Sequence, residues 1–148
     1  MLTTSRQGIR TLAAFGAALA LTLTGTGIAN ANQGGVPAIP LNTEQAGSNT
    51  DASGFFTYNI SGDQFCYTLS ARDLSAPATA AHIHLAPRHV AGPLVIPLTV
   101  GSGTDWTVDT CTTVDPAVLE AVSESPRSYY VNVHTPTFPG GEIRGQLK

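Results

Sequence analysis

Charge is scarce in this chain. Only 11% of its 148 residues are Asp, Glu, Lys or Arg. Seven basic side chains stand against ten acidic ones, and the basic ones are scattered. No patch of cations exists to neutralise a row of phosphates, which argues against a nucleic-acid partner. Cysteine is nearly absent, with two residues, so a dense disulfide scaffold is excluded and one bridge is the maximum. No Gly-x-Ser-x-Gly elbow and no His-Glu-x-x-His helix occurs. Spacing singles out no pair of carboxylates for glycosidic work. Long helices are disfavoured as well, because fifteen Gly and ten Pro punctuate the chain.

One apolar run stands out, at residues 12–23, behind Arg6 and Arg10 and ahead of Ala29-Asn30-Ala31. A positive start, a short apolar stretch and a small-x-small triplet are the pattern of a cleaved secretory signal, here ending after Ala31. The run is shorter than the roughly 20 residues a spanning helix needs. Nothing apolar follows Leu147, so no transmembrane span is expected after cleavage. Cleavage removes Arg6 and Arg10 and none of the ten acids, so the mature chain is more acidic than the formal charge of -3. The expected location is extracellular.

Export bears on the cysteines. Cys66 and Cys111 meet an oxidising environment, where a pair usually bridges, and a loop of this length would be stabilised by about 4 kcal/mol. Two free thiols or a shared metal site are the alternatives. No Cys-x-x-Cys spacing points to redox or zinc work.

Residues 32–50 are polar and irregular, and read as a flexible N-terminal segment or a loosely attached first strand. The organised domain is expected from residue 51 to 148. Residues 55–60 and 64–70 alternate in the strand manner around Ser61-Gly62-Asp63, the pattern of a hairpin. Further strands are expected at 79–85, 93–100, 105–111, 129–134 and 142–147. In the second of these, Leu94, Ile96 and Leu98 share a face. One helix is expected near 116–124, with Asp115 as N-cap and Pro116 at its first position. Many short strands and one short helix predict an all-β fold: an antiparallel Greek-key sandwich, or partly closed barrel.

Strand parity also groups the chemistry. His82 and His84 point to one face, with Ile83 and Leu85 on the other. On the strand at 129–134, Tyr130, Asn132 and His134 oppose Val131 and Val133. If the aliphatic faces form the core, all three imidazoles lie outside it, and neighbouring strands would gather them. Three histidines suit copper or zinc, copper having the higher affinity. Their ligand nitrogens would then converge to within roughly 3–4 Å of one another. The alternative is that each imidazole bonds to nearby backbone and pins a loop. His89 lies in the 87–92 loop and is expected in solvent. Asn132, Glu142 and Arg144 are candidate supporting residues, the last two on a solvated edge or against His134. Tyr58, Tyr67, Tyr129 and Tyr130 are expected to pack. No catalytic residue set emerges.

Four segments taken in order resemble a known family. They are Ala81-His82-Ile83-His84-Leu85, Gly92-Pro93-Leu94-Val95-Ile96-Pro97-Leu98, Tyr130-Val131-Asn132-Val133-His134-Thr135, and Pro139-Gly140-Gly141-Glu142-Ile143-Arg144-Gly145-Gln146-Leu147. Together they resemble the CHRD domain, first described in chordin and found in many secreted bacterial proteins. The resemblance implies a secreted β-sandwich module; with no catalytic set, a non-enzymatic binding or cell-envelope role is expected, its partner an unknown extracellular protein or envelope component. It implies little about activity. One departure is the Leu85-Ala86-Pro87-Arg88 stretch, where the family commonly has a Gly. A weaker resemblance, to the copper-zinc superoxide dismutase sandwich, rests on the His-x-His pair. It would make His82, His84 and His134 copper ligands, without the zinc loop of that family.

Overall fold

A computed structural model of the chain describes residues 38–148 and the isolated Met1. The expected secretory signal lies outside the described residues. No described helix is long and apolar enough to cross a membrane.

Eight antiparallel strands form one sheet: β1 (Ile39–Asn42), β2 (Ser53–Ser61), β3 (Gln64–Arg72), β4 (Ala80–Leu85), β5 (Leu94–Leu98), β6 (Trp106–Thr113), β7 (Tyr129–His134) and β8 (Ile143–Gln146). Their spatial order is β5-β4-β7-β8-β1-β2-β3-β6, and the sheet curls until it is nearly closed. Strands distant in sequence, such as β1 and β8, lie side by side; the all-β expectation holds, in its partly closed barrel form.

Local chemistry accounts for most elements. The β2–β3 hairpin turns at Gly62, whose φ of 61° is left-handed and suits glycine. Its inward residues are aromatic. Tyr58 faces Tyr67 across the pair, and the Tyr58 ring lies 5.3 Å from that of Phe65. Aromatic side chains buried in this way contribute roughly 1.5–3 kcal/mol each. The helix α2 (Pro116–Glu124) begins where Asp115 accepts a bond from the Ala117 amide, and buries Leu119 and Val122. The four tyrosines expected to pack are all buried.

The structure departs from expectation in four places. First, β1 lies between β2 and β8, so the sheet begins N-terminal of residue 51. Its signal was weak because Pro40 cannot donate to a ladder. The β1–β8 pairing is correspondingly short, at Asn42↔Arg144. Second, a helical turn α1 (Thr43–Ala46) follows β1, capped by the Asn42 side chain and closed by left-handed Gly47. A 3₁₀ turn (Pro126–Ser128) also precedes β7. Third, a register shift at Ile83/His84 breaks the alternation of β5: Ile96 and Leu98 are buried, but Leu94 is exposed. Fourth, β8 is an interior strand, and neither Glu142 nor Arg144 is solvated, at 0% and 6% exposure. Arg144 is covered by the 86–92 loop, and Glu142 by the segments that carry Thr50, Ser75 and Thr135.

Candidate functional site

The β4 strand alternates as its sequence dictates. Ala81 and Ile83 are fully buried in the core, while His82 and His84 stand half-buried on the opposite face. The β4–β7 pairing sets Ala80 against His134, His82 against Asn132 and His84 against Tyr130. His134 therefore sits diagonally from His82, within reach of a ring. The three ring centroids are 4.9, 5.5 and 5.9 Å apart. One nitrogen from each imidazole lies within 4.8 Å of the other two.

Backbone carbonyls fix which nitrogens face inward. His84 Nδ1 lies 2.9 Å from the Gly92 carbonyl, and His134 Nδ1 lies 2.8 Å from the Pro139 carbonyl. A carbonyl only accepts, so both Nδ1 atoms carry the proton and both Nε2 atoms present a lone pair. His134 Nε2 accepts from His82 Nδ1 at 3.1 Å. His84 Nε2 is buried and has no partner. Imidazoles oriented by outer backbone carbonyls are the usual second layer of a metal site, and two of the three imidazoles here are so oriented. One nitrogen of His84 and of His134 thus holds a loop carbonyl; of the two Nε2 atoms, that of His134 is taken by His82 and that of His84 has no partner.

Electrostatics favour the neutral, ligating form. Burial pushes the His82 pKa down, and the neighbouring His134 and His84 push it further. For His134, burial again dominates downward, the Pro139 carbonyl pulls upward, His84 pushes downward, and the net shift is down.

A bound ion would draw three nitrogens to about 3.3 Å from one another, given metal–nitrogen bonds near 2.0–2.1 Å. The His82 Nδ1–His134 Nε2 pair has about that spacing at 3.1 Å, and His82 would ligate through Nδ1 once its proton has moved to its Nε2. The third nitrogen, on His84, lies within 4.8 Å of the other two.

The expected supporting residues surround this group without joining it. Asn132 is 2% exposed and donates to the Gly140 carbonyl at 3.4 Å. Glu142 does not touch His134. Its carboxylate takes four bonds, from the Thr50 hydroxyl, the Ser75 amide, the Ser75 hydroxyl and the Thr135 hydroxyl, at 2.8–3.0 Å. It acts through Thr135, which anchors the loop whose Pro139 carbonyl orients His134. Arg144 lays its guanidinium 3.3 Å over the Tyr130 ring and donates to the Val90 and Pro87 carbonyls, both at 2.8 Å. His89 is exposed and apart from the trio.

Tyr130, Gly92 and Pro139 are parts of the site that residue types alone did not reveal. Tyr130 stacks on His84 at 4.9 Å with ring planes 8° apart, so it fixes that imidazole from the side. The only hint was its shared parity with His134. The Gly92 and Pro139 carbonyls act through backbone, which no residue type announces.

No curated protein matches the chain, and neither does any solved structure. The CHRD domain matches residues 38–147, from the residue before β1 to the residue after β8. That span includes the histidine trio, the Glu142 cage and the disulfide strands, and by it the chain belongs to the CHRD domain family.

Proposed function

We propose that this CHRD protein is an exported binding module and that its ligand at His82, His84 and His134 is a transition-metal ion, copper in preference to zinc. One observation carries the reading: His84 Nε2 is a buried, unpartnered lone pair beside two other imidazoles. Loop pinning accounts for the Nδ1 atoms and leaves that nitrogen unexplained. A buried polar atom without a partner costs about 1–3 kcal/mol, and a metal bond removes the cost. Copper heads the divalent affinity order for nitrogen sites. No turnover is part of the proposal.

Calorimetric titration of the metal-free protein with copper sulfate tests it. The expected result is one ion per chain, and a loss of about 100-fold or more in affinity for His84→Ala. Loss of an outer-layer partner alone already costs 10–100-fold. His89→Ala is expected to bind as the parent does. Equal binding by parent and His84→Ala would overturn the assignment. Superoxide dismutation by the copper-loaded parent, absent from His84→Ala, would instead move the reading to an enzyme of dismutase type.

Export is a separate expectation, resting on residues 1–31. Intact-mass measurement of the protein recovered outside the producing cells should give a chain beginning at Asn32. Recovery only inside the cells, with Met1 retained, would reject it.

A further inference from the structure

A second feature lies on the same sheet face, beyond Asn132 and Tyr130. The turn α1 packs on one side of β8, and the 86–92 loop is strapped down on the other. Arg144 holds that loop by the Pro87 and Val90 carbonyls, and Gln146 holds it by the Ala86 carbonyl. Between them is a cavity of about 140 Å³, lined by Gln45, His89, Tyr130, Asn132 and Arg144 together with the Gly140-Gly141 backbone.

Three of its lining side chains carry a buried polar atom with no partner: Gln45 Oε1, Asn132 Oδ1 and Arg144 Nε. The residues are 7%, 2% and 6% exposed. The pattern is specific, with two carbonyl-type acceptors and one N–H donor on a cation. The other contacts of Arg144 are two backbone carbonyls, the Gln146 amide oxygen and the face of Tyr130. None of these is an anion. A buried guanidinium is normally paired, because desolvating an uncompensated charge is expensive. Four to five waters, at about 30 Å³ each, would fill the space. They would leave the charge unneutralised.

We propose that this cavity binds a small organic anion that carries its own hydrogen-bond donor, of the hydroxycarboxylate or α-amino-acid class. The carboxylate meets Arg144 Nε–H, and the hydroxyl or ammonium group donates to Asn132 Oδ1 and Gln45 Oε1. His89, exposed and held at a left-handed φ of 62°, stands at the tip of the loop that closes the cavity. The inference is independent of the metal reading, since none of the three imidazoles of the trio lines the cavity.

Calorimetric titration in the presence of a chelator, with L-lactate, glycine and acetate as probes, tests it. Lactate or glycine should bind saturably to one site per chain. Acetate lacks the donor and should bind about tenfold or more weakly, as expected for a lost charge-assisted hydrogen bond. Gln45→Leu should show a similar loss, with its unfolding temperature confirming that the domain is intact. Its side chain lies on a short capped turn outside the aliphatic core. Asn132→Leu gives the same readout from the opposite wall. Equal affinity for acetate and lactate, unchanged binding in both variants, or no binding by any probe at tens of millimolar would overturn the proposal and leave a water-filled cavity.

Discussion

Glu142→Ala is expected to destabilise the domain by about 4 kcal/mol, a large share of the 5–15 kcal/mol typical of a folded domain. The Glu142 carboxylate is fully buried and has four donors on it, from Thr50, Ser75 and Thr135. Truncation leaves those donors without an acceptor, at about 1–3 kcal/mol for each one that cannot turn elsewhere, and leaves a cavity besides. Three segments loosen together: the stretch after α1, the stretch after β3, and the end of β7. Glu142→Gln separates hydrogen bonding from charge. The Ser75 and Thr135 hydroxyls can reverse and accept from the new amide, so the expected loss is about 1–2 kcal/mol. Urea unfolding measures both. A loss below about 1 kcal/mol in the alanine variant would show that the cage does not hold the fold.

The same carboxylate makes stability depend on pH. Burial pushes its pKa up, but the Ser75 amide and the Thr135, Ser75 and Thr50 hydroxyls outweigh burial and hold it below the ordinary 4.5. The unfolded chain therefore binds more protons between the two pKa values, and stability rises with pH across that interval. The contribution is complete above pH 4.5 and is lost as pH falls through the folded value. Glu142→Gln should flatten this acid limb. An unchanged acid limb would assign it to other groups.

Loss of the disulfide is the second large effect. Cys66 and Cys111 face each other across β3 and β6 and are bonded, with a sequence separation of 45. Closing a loop of that length in the unfolded chain stabilises the fold by about 4 kcal/mol in the chain-entropy treatment. The structure adds a second role, because β6 is the last strand of the sheet order and pairs only with β3. Without the bond, that edge is held by its ladder and by partly buried side chains such as Trp106. The Cys66→Ser/Cys111→Ser variant should unfold at a temperature lower by on the order of 15 °C. Its copper affinity should match the parent's, since the imidazoles belong to β4 and β7, which pair with neither β3 nor β6. A shift of only a few degrees would mean that the unfolded chain is already compact around this loop.

Several elements were legible because their causes are local. The 116–124 helix follows from Asp115 and Pro116, and the observed span is Pro116–Glu124. The 55–70 hairpin follows from alternation around Gly62. The placement of His82, His84 and His134 off the core followed from parity against Ile83, Val131 and Val133. Strand β1 was harder to read, because a four-residue strand containing Pro40 has little periodicity to detect. The exposure of Leu94 escaped for another reason: the register shift depends on how β4 and β5 meet, and neither strand encodes it alone.

By itself, the sequence determined the strand-rich class, the 116–124 helix and its cap, the pair of cysteines available to bridge, and the face on which each histidine stands. Those are consequences of backbone geometry over a few residues. Only the tertiary structure decided that β4 and β7 are neighbours, which turns three imidazoles on separate strands into one group. It also decided that Glu142 and Arg144, outside the aliphatic core by parity, are nonetheless buried. Parity fixes which face a side chain takes. Whether that face meets water depends on what packs over it, and here the cover comes from residues far away in the chain.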